Sequence, residues 1–165
     1  MRLGRLLSHL VIPDWYALRA FPKALLRRTE QAIAVSERSH CGELRLVVEA
    51  NLPLAGLLRD QSSRQRAVEL FGQLGVWDTE HNCGVLIYLQ LLDRRVEIVA
   101  DRGINRRVGD AFWSAVCRRM EGAFRGGQYE AGILQALDEI SAALAEHFPA
   151  TADNPDELPN APLVF

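Results

Sequence analysis

The spacing of apolar positions changes period several times along this chain, and each change marks an element. From residue 43 to residue 50, Leu44, Leu46, Val48 and Ala50 share one side, while Glu43, Arg45 and Glu49 mostly take the other. A period of two predicts a strand with one well-buried face. Residues 84–92, Gly-Val-Leu-Ile-Tyr-Leu-Gln-Leu-Leu, are the most apolar run in the sequence, as expected of a central strand covered on both faces. Asp93-Arg94 reads as a tight turn, and residues 95–100 as the strand that returns antiparallel.

Elsewhere the period is helical. Leu25, Leu26, Thr29, Ile33 and Ser36 predict a moderately amphipathic helix over residues 23–40, after a short lead-in where Pro13-Asp14 is a helix-start signal and Pro22 suits a first turn. Ser62-Ser63-Arg64-Gln65 resembles a capping box, and Ala67, Leu70, Phe71 and Leu74 share one side of the helix behind it, which ends near Gly75. Asp110 suits the N-cap of a helix through Phe124, with Phe112, Val116 and Met120 on one stripe and Trp113 and Cys117 beside it. Gly126-Gly127 ends that helix. Ile133, Leu137, Ile140, Leu144 and Phe148 mark the core face of a last helix, stopped by Pro149.

The resulting order is helix, strand, helix, strand, strand, helix, helix. Two strands separated by a helix are parallel through a right-handed crossover, and the third strand forms a hairpin with the second. The expected architecture is an α/β three-layer sandwich, a small mixed sheet with helices on both faces. Residues 1–40 read as a helical lead-in to the same domain, residues 41–148 as the α/β core, and residues 149–165 as an extended, acidic, proline-rich tail with little share in the core. Leu163, Val164 and Phe165 are the tail residues able to dock on the body.

Composition narrows the class. At 165 residues, 48% hydrophobic and 24% charged, the chain suits one domain that buries about two-thirds of its unfolded surface. No apolar run approaches the roughly 20 residues of a membrane span. The N-terminal apolar run is cut by Ser8 and His9 and stopped by Pro13, so it reads as structure rather than signal peptide, and the expected location is cytoplasmic. Cys41, Cys83 and Cys117 are odd in number and lack framework spacing, which predicts free thiols. Charge is uneven. Residues 1–129 hold all 19 Lys and Arg, 18 of them Arg, for a net +5, whereas residues 130–165 carry −7. An arginine surface suits phosphate or an acidic partner.

The predicted topology gathers polar residues at one end of the sheet. The first two strands begin there, at Gly42 and Gly84, and the third ends there, at Asp101. Asp78, Glu80, Asp101 and Asp110, with the amide of Asn82, offer oxygen ligands of the kind Ca2+ or Mg2+ takes. Arg102, Arg106 and Arg107 are placed to bind an anion near a helix N-terminus. The same end brings His40-Cys41 near His81 and Cys83, a donor set suited to zinc but without a standard zinc spacing. No nucleophile elbow, phosphate loop or paired-histidine zinc motif occurs. Aromatic residues do not interleave with the basic ones, so no nucleic-acid partner is expected.

One set of motifs runs in order through residues 40–148. It comprises Asn82-Cys83-Gly84-Val85-Leu86, Asp93-Arg94, Asp101-Arg102-Gly103-Ile104-Asn105, Gly109-Asp110-Ala111, and Phe124-Arg125-Gly126-Gly127-Gln128-Tyr129-Glu130-Ala131-Gly132-Ile133. As a set it resembles the TPM-domain family, also called TPM phosphatase domains, and most of all its short members without a membrane anchor. The resemblance implies a TPM-type fold, a weak phosphomonoester hydrolase of acid-phosphatase type in some members, Ca2+ or other divalent ions at acidic loops, and association with membrane-bound protein complexes. This sequence departs at several loop positions. Asn82-Cys83 stands where an acid precedes the glycine, Asp101-Arg102 replaces Gly-Tyr, Asn105 replaces a glutamate, and Asp110 alone matches a family acid. The expected function is therefore an accessory or binding protein for a protein partner, with a weak divalent-metal-dependent phosphatase as the alternative.

Overall fold

The computed structural model describes residue 9, residues 15–151 and residues 155–165. The helix-start signal at Pro13-Asp14 lies outside the described residues. The elements are α1 (Trp15–Ala20), α2 (Lys23–Ser36), β1 (Leu44–Glu49), α3 (Leu54–Leu58), α4 (Ser63–Gln73), β2 (Val85–Gln90), β3 (Arg95–Ala100), α5 (Arg102–Val108), α6 (Asp110–Arg125), α7 (Tyr129–His147) and β4 (Leu163–Val164).

The sheet order is β3-β2-β1-β4. β1 and β2 are parallel, with Leu44 opposite Val85 and Glu49 opposite Gln90. β2 and β3 are antiparallel, with Val85 opposite Ala100 and Gln90 opposite Arg95. The crossover and the hairpin both form as the apolar pattern predicts. The hairpin turn is longer than expected, four residues instead of two. Gln90 Oε1 accepts the Asp93 N–H at 2.8 Å, and the Arg94 N–H reaches Leu91 O at 3.2 Å.

Alternation along the strands sorts the core into two layers. Leu44, Leu46 and Val48 of β1, with Val85, Ile87 and Leu89 of β2, pack beneath α1, α2, α6 and α7. Val47, Leu86, Tyr88 and Val99 pack on the other face with Ala67, Leu70 and Val76 from α4 and the loop after it. Ser62 and Gln65 form the capping box that starts α4. In α6 the buried stripe is Trp113, Val116 and Met120, with Phe112 only partly covered. The outer edge of β3 is blunted from both layers, because Arg64 donates to Ile98 O and Glu121 accepts from the Val96 N–H.

Two features depart from the sequence reading. Residues 102–108, read as a polar lead-in, fold as α5, so Gly109 (φ 77°) rather than Asp110 is the N-cap of α6. Asp110 instead lies in the first turn, where its charge complements the helix dipole. The tail is a strap with a share in the core, although it docks through Leu163, Val164 and Phe165, the residues the sequence marks as able to do so. β4 joins β1 in parallel, with Val47 opposite Leu163 and Val48 opposite Val164. Phe165 exchanges backbone hydrogen bonds with Val48 and Ala50, and Leu158 and Leu163 pack on the α4-side core. The β1 edge supplied unpaired backbone groups, and three apolar residues after the prolines were enough to take them up.

Candidate functional site

The end of the sheet where β1 and β2 begin is assembled by close backbone approach. Gly84 leaves room for Val76 O, which would lie 1.9 Å from an added Cβ. Gly103 does the same for the preceding loop, since a Cβ there would lie 2.3 Å from Asn82 O. That contact is used: Asn82 O accepts the Gly103 N–H at 2.9 Å and the Ile104 N–H at 3.4 Å. Asn82 takes a left-handed φ of 54°, which asparagine tolerates better than most residues.

Asp101 is buried and caps α5, its Oδ1 accepting the Arg102 N–H at 2.7 Å. Its Oδ2 is buried with no hydrogen-bond partner. Arg102 reaches back to donate from Nε to Asn82 Oδ1 at 3.2 Å. Asn105 accepts from Trp113 Nε1 at 2.7 Å and donates to Asp110 Oδ1 at 3.2 Å. Asn82, Asp101, Arg102, Asn105 and Asp110 thus form one chain of contacts along α5. Arg106 and Arg107 are exposed in the last turn of α5, and neither makes an ion pair among the described residues.

Asp78 and Glu80 stand apart from this chain. Both are exposed in the loop before β2, and the Glu80 N–H faces the Glu157 carboxylate at 3.3 Å. A hard divalent ion takes six to eight oxygens, so about three carboxylates must converge to build most of a cage. Among the described residues the group of acids that converges, with ligand atoms within 4.8 Å of one another, is Glu37, Glu43 and Asp156. What the α5 end offers an ion is the unpartnered Asp101 Oδ2.

The sequence reading missed the Glu37, Glu43 and Asp156 cluster because Asp156 arrives on the strap. Glu37 Oε1 accepts the Leu44 N–H at 2.9 Å. Glu43 takes the Glu157 N–H at 3.2 Å on one oxygen and the Leu158 N–H at 3.1 Å on the other. Burial, reinforced by Glu43 and Asp156, pushes the Glu37 carboxyl up to about 8, against the pull of the Leu44 N–H and of Arg45. Burial also raises Glu43. A cation at this cluster would have to displace the Glu37 proton, and the buried Arg45 already supplies positive charge beside it.

The residues considered for zinc are turned to structural contacts. Cys83 Sγ donates to Cys41 O and Cys41 Sγ to Pro149 O, each at 3.2 Å. His40 Nδ1 lies 3.0 Å from Gly42 O, and His81 is exposed. Burial drives the Cys83 thiol up to about 12, which keeps it protonated. All three cysteines are free.

A three-layer α/β fold with a polar loop cluster at the shared end of its parallel strands narrows the class, and comparison with known proteins places the chain within it. The TPM domain (TPM phosphatase) family matches residues 20–143, and this chain belongs to that family. The BA42 protein of the psychrophilic bacterium Bizionia argentinensis, solved by NMR, is 29% identical with a TM-score of 0.74, covering 85% of this chain and 92% of that one. The N-terminal domain of a protein from P. gingivalis, also solved by NMR, is 23% identical with a TM-score of 0.62, covering 85% of this chain and 94% of that one, and shows the shared fold. No curated protein matches the chain. Among the described residues no helix is long and apolar enough to cross a membrane.

Proposed function

We propose that this TPM domain is a binding module that recognises an acidic surface on a protein partner through Arg102, Arg106 and Arg107. The observation that carries this reading is the locked presentation of α5. Asn82 O and the Asp101 carboxylate satisfy the N–H groups of its first turn, and the three arginines stand exposed along it. Guanidinium groups held on a fixed short helix suit bidentate contact with carboxylates. Trp77, 55% exposed in the loop before β2, adds a large apolar surface of the kind enriched at interfaces. Family membership supports a membrane-associated complex as the setting, with the chain on its cytoplasmic side. The test is cross-linked capture with wild type and with the Arg102→Glu, Arg106→Glu, Arg107→Glu triple variant, each checked for an unchanged melting temperature. A partner that binds wild type and loses the variant, first in extract and then as a purified pair, supports the reading.

The second reading is a weak divalent-metal-dependent phosphatase, favoured by the orphaned, buried Asp101 Oδ2. Asp101 would hold Ca2+ or Mg2+ through that oxygen, without Asp78 and Glu80, which stand apart from it, and the ion would polarise a phosphoryl oxygen. The arginines of α5 would then orient the phosphate. Hydrolysis of p-nitrophenyl phosphate with Mg2+, Mn2+ or Ca2+, abolished in Asp101→Asn, would establish this reading over the first. Metal heat lost in Glu43→Gln and kept in Asp101→Asn would assign the ion to the strap cluster instead.

A further inference from the structure

The opposite end of the sheet carries a second feature, independent of the α5 surface. The β2–β3 turn, the end of α6 and the start of α7 enclose a cavity of about 470 Å3. Leu89 and Val96 from the sheet line it, together with the rings of Phe124 and Tyr129, whose centroids lie 5.1 Å apart. Arg94, Arg95 and Arg125 come to the same cavity from the turn, from β3 and from the last turn of α6. None of these three guanidinium groups makes an ion pair or a hydrogen bond among the described residues. Glu121 also lines the cavity, with Oε1 accepting from the Val96 N–H. Gln90 is committed to Ala50 O and the Asp93 N–H.

Three guanidinium groups against the single Glu121 carboxylate leave the cavity net positive, and an anion with several oxygens offsets that charge. The floor is apolar and aromatic, which suits a flat ring rather than a bare ion. The volume falls within the roughly 300–1,000 Å3 of small-molecule sites. The side chains lining the cavity include no serine, cysteine, histidine or aspartate, so it has the make-up of a site that binds without reacting. We propose that this cavity binds a small organic phosphate with a flat aromatic body, a nucleoside monophosphate being the class that fits. The phosphate lies between Arg94, Arg95 and Arg125, and the base lies over Leu89, Val96 and the edges of Phe124 and Tyr129.

The test is calorimetric titration of the full chain with AMP, GMP, CMP and UMP, and with inorganic phosphate. At least one nucleotide is expected to bind, and phosphate alone to bind about ten-fold more weakly or worse. The Arg94→Ala, Arg125→Ala double variant, with an unchanged melting temperature, is expected to weaken that nucleotide by about ten-fold or more. Arg38→Ala, at an exposed arginine outside the cavity, is expected to leave it unchanged. Absence of heat with all four nucleotides at millimolar concentration overturns the proposal. So does binding that the double variant keeps, or phosphate binding as tight as the nucleotide.

Discussion

Tyr88 donates its phenolic hydroxyl to Glu49 Oε2 at 2.6 Å in the core layer beneath α4. Arg66 closes on the same carboxylate from α4, with Nη2 2.8 Å from Oε1. Glu49 is therefore buried with both its charge and its lone pairs satisfied. Arg66→Ala leaves that carboxylate without its counter-charge and is expected to cost about 3–5 kcal/mol. Tyr88→Phe removes one hydrogen bond to a charged group and is expected to cost about 1.5–3 kcal/mol. Urea denaturation of the two variants measures both, and equal, near-zero shifts would contradict the network.

That relationship explains where sequence reasoning stopped short. Alternation in residues 43–50 correctly gave a strand, and its apolar face is the one under α1, α2, α6 and α7. The polar positions Arg45 and Glu49 look solvated in sequence, yet every residue of β1 is buried. Burial of that face depends on Arg66, nearly twenty residues away in α4, and on the strap that returns from the chain end. Such pairings have no local period. His9 is a second example: Nδ1 accepts the Leu52 N–H at 3.0 Å, so Nε2 carries the proton toward Asp93 at 3.2 Å. At the candidate site, Asn82, Asp101 and the α5 arginines were legible because strand direction places them together. The α5 helix itself was not, since seven residues are too few for an apolar period to show.

Gly103 tests how the α5 surface is positioned. Gly103→Ala drives a methyl group into Asn82 O. The expected outcome is a loss of about 1–3 kcal/mol, the usual cost of overpacking, together with weakened partner binding. Amide exchange should speed up across residues 101–105 before the rest of the core. Unchanged exchange there would show that the Asn82 contact does not hold the helix.

The strap predicts a large effect of truncation. Deleting residues 155–165 removes β4, the Glu43 contacts and the apolar groups of Leu158 and Leu163. Melting temperature should fall by roughly 2–4 °C for each kcal/mol lost, and the bared β1 edge should promote self-association. Scanning calorimetry with light scattering checks both, and a monomer of unchanged melting temperature would contradict the strap.

Glu37 gives a pH dependence of definite sign. Its folded pKa of about 8 lies above the ordinary value of 4.5, so the folded state holds a proton that the unfolded state releases. The contribution is fully present below about pH 4.5 and is lost as pH rises toward 8, at no more than about 1.4 kcal/mol per pH unit. Glu43 is shifted in the same direction. His40, kept neutral by burial, acts oppositely, since acid below its ordinary range favours the unfolded state. Comparing wild type with Glu37→Gln from pH 5 to 8 isolates the glutamate. The wild type should lose stability relative to the variant as pH rises, and parallel curves would contradict a buried, proton-holding Glu37.

The most direct test of the recognition surface is titration of the captured partner, as a purified protein, against wild type and the Arg102→Glu, Arg106→Glu, Arg107→Glu variant at low and high salt. Reversing three charges that meet an acidic surface should weaken binding by well over about ten-fold, and wild-type affinity should fall as salt rises. Equal affinities for the two proteins, or an affinity indifferent to salt, would contradict the assignment of α5 as the surface that binds.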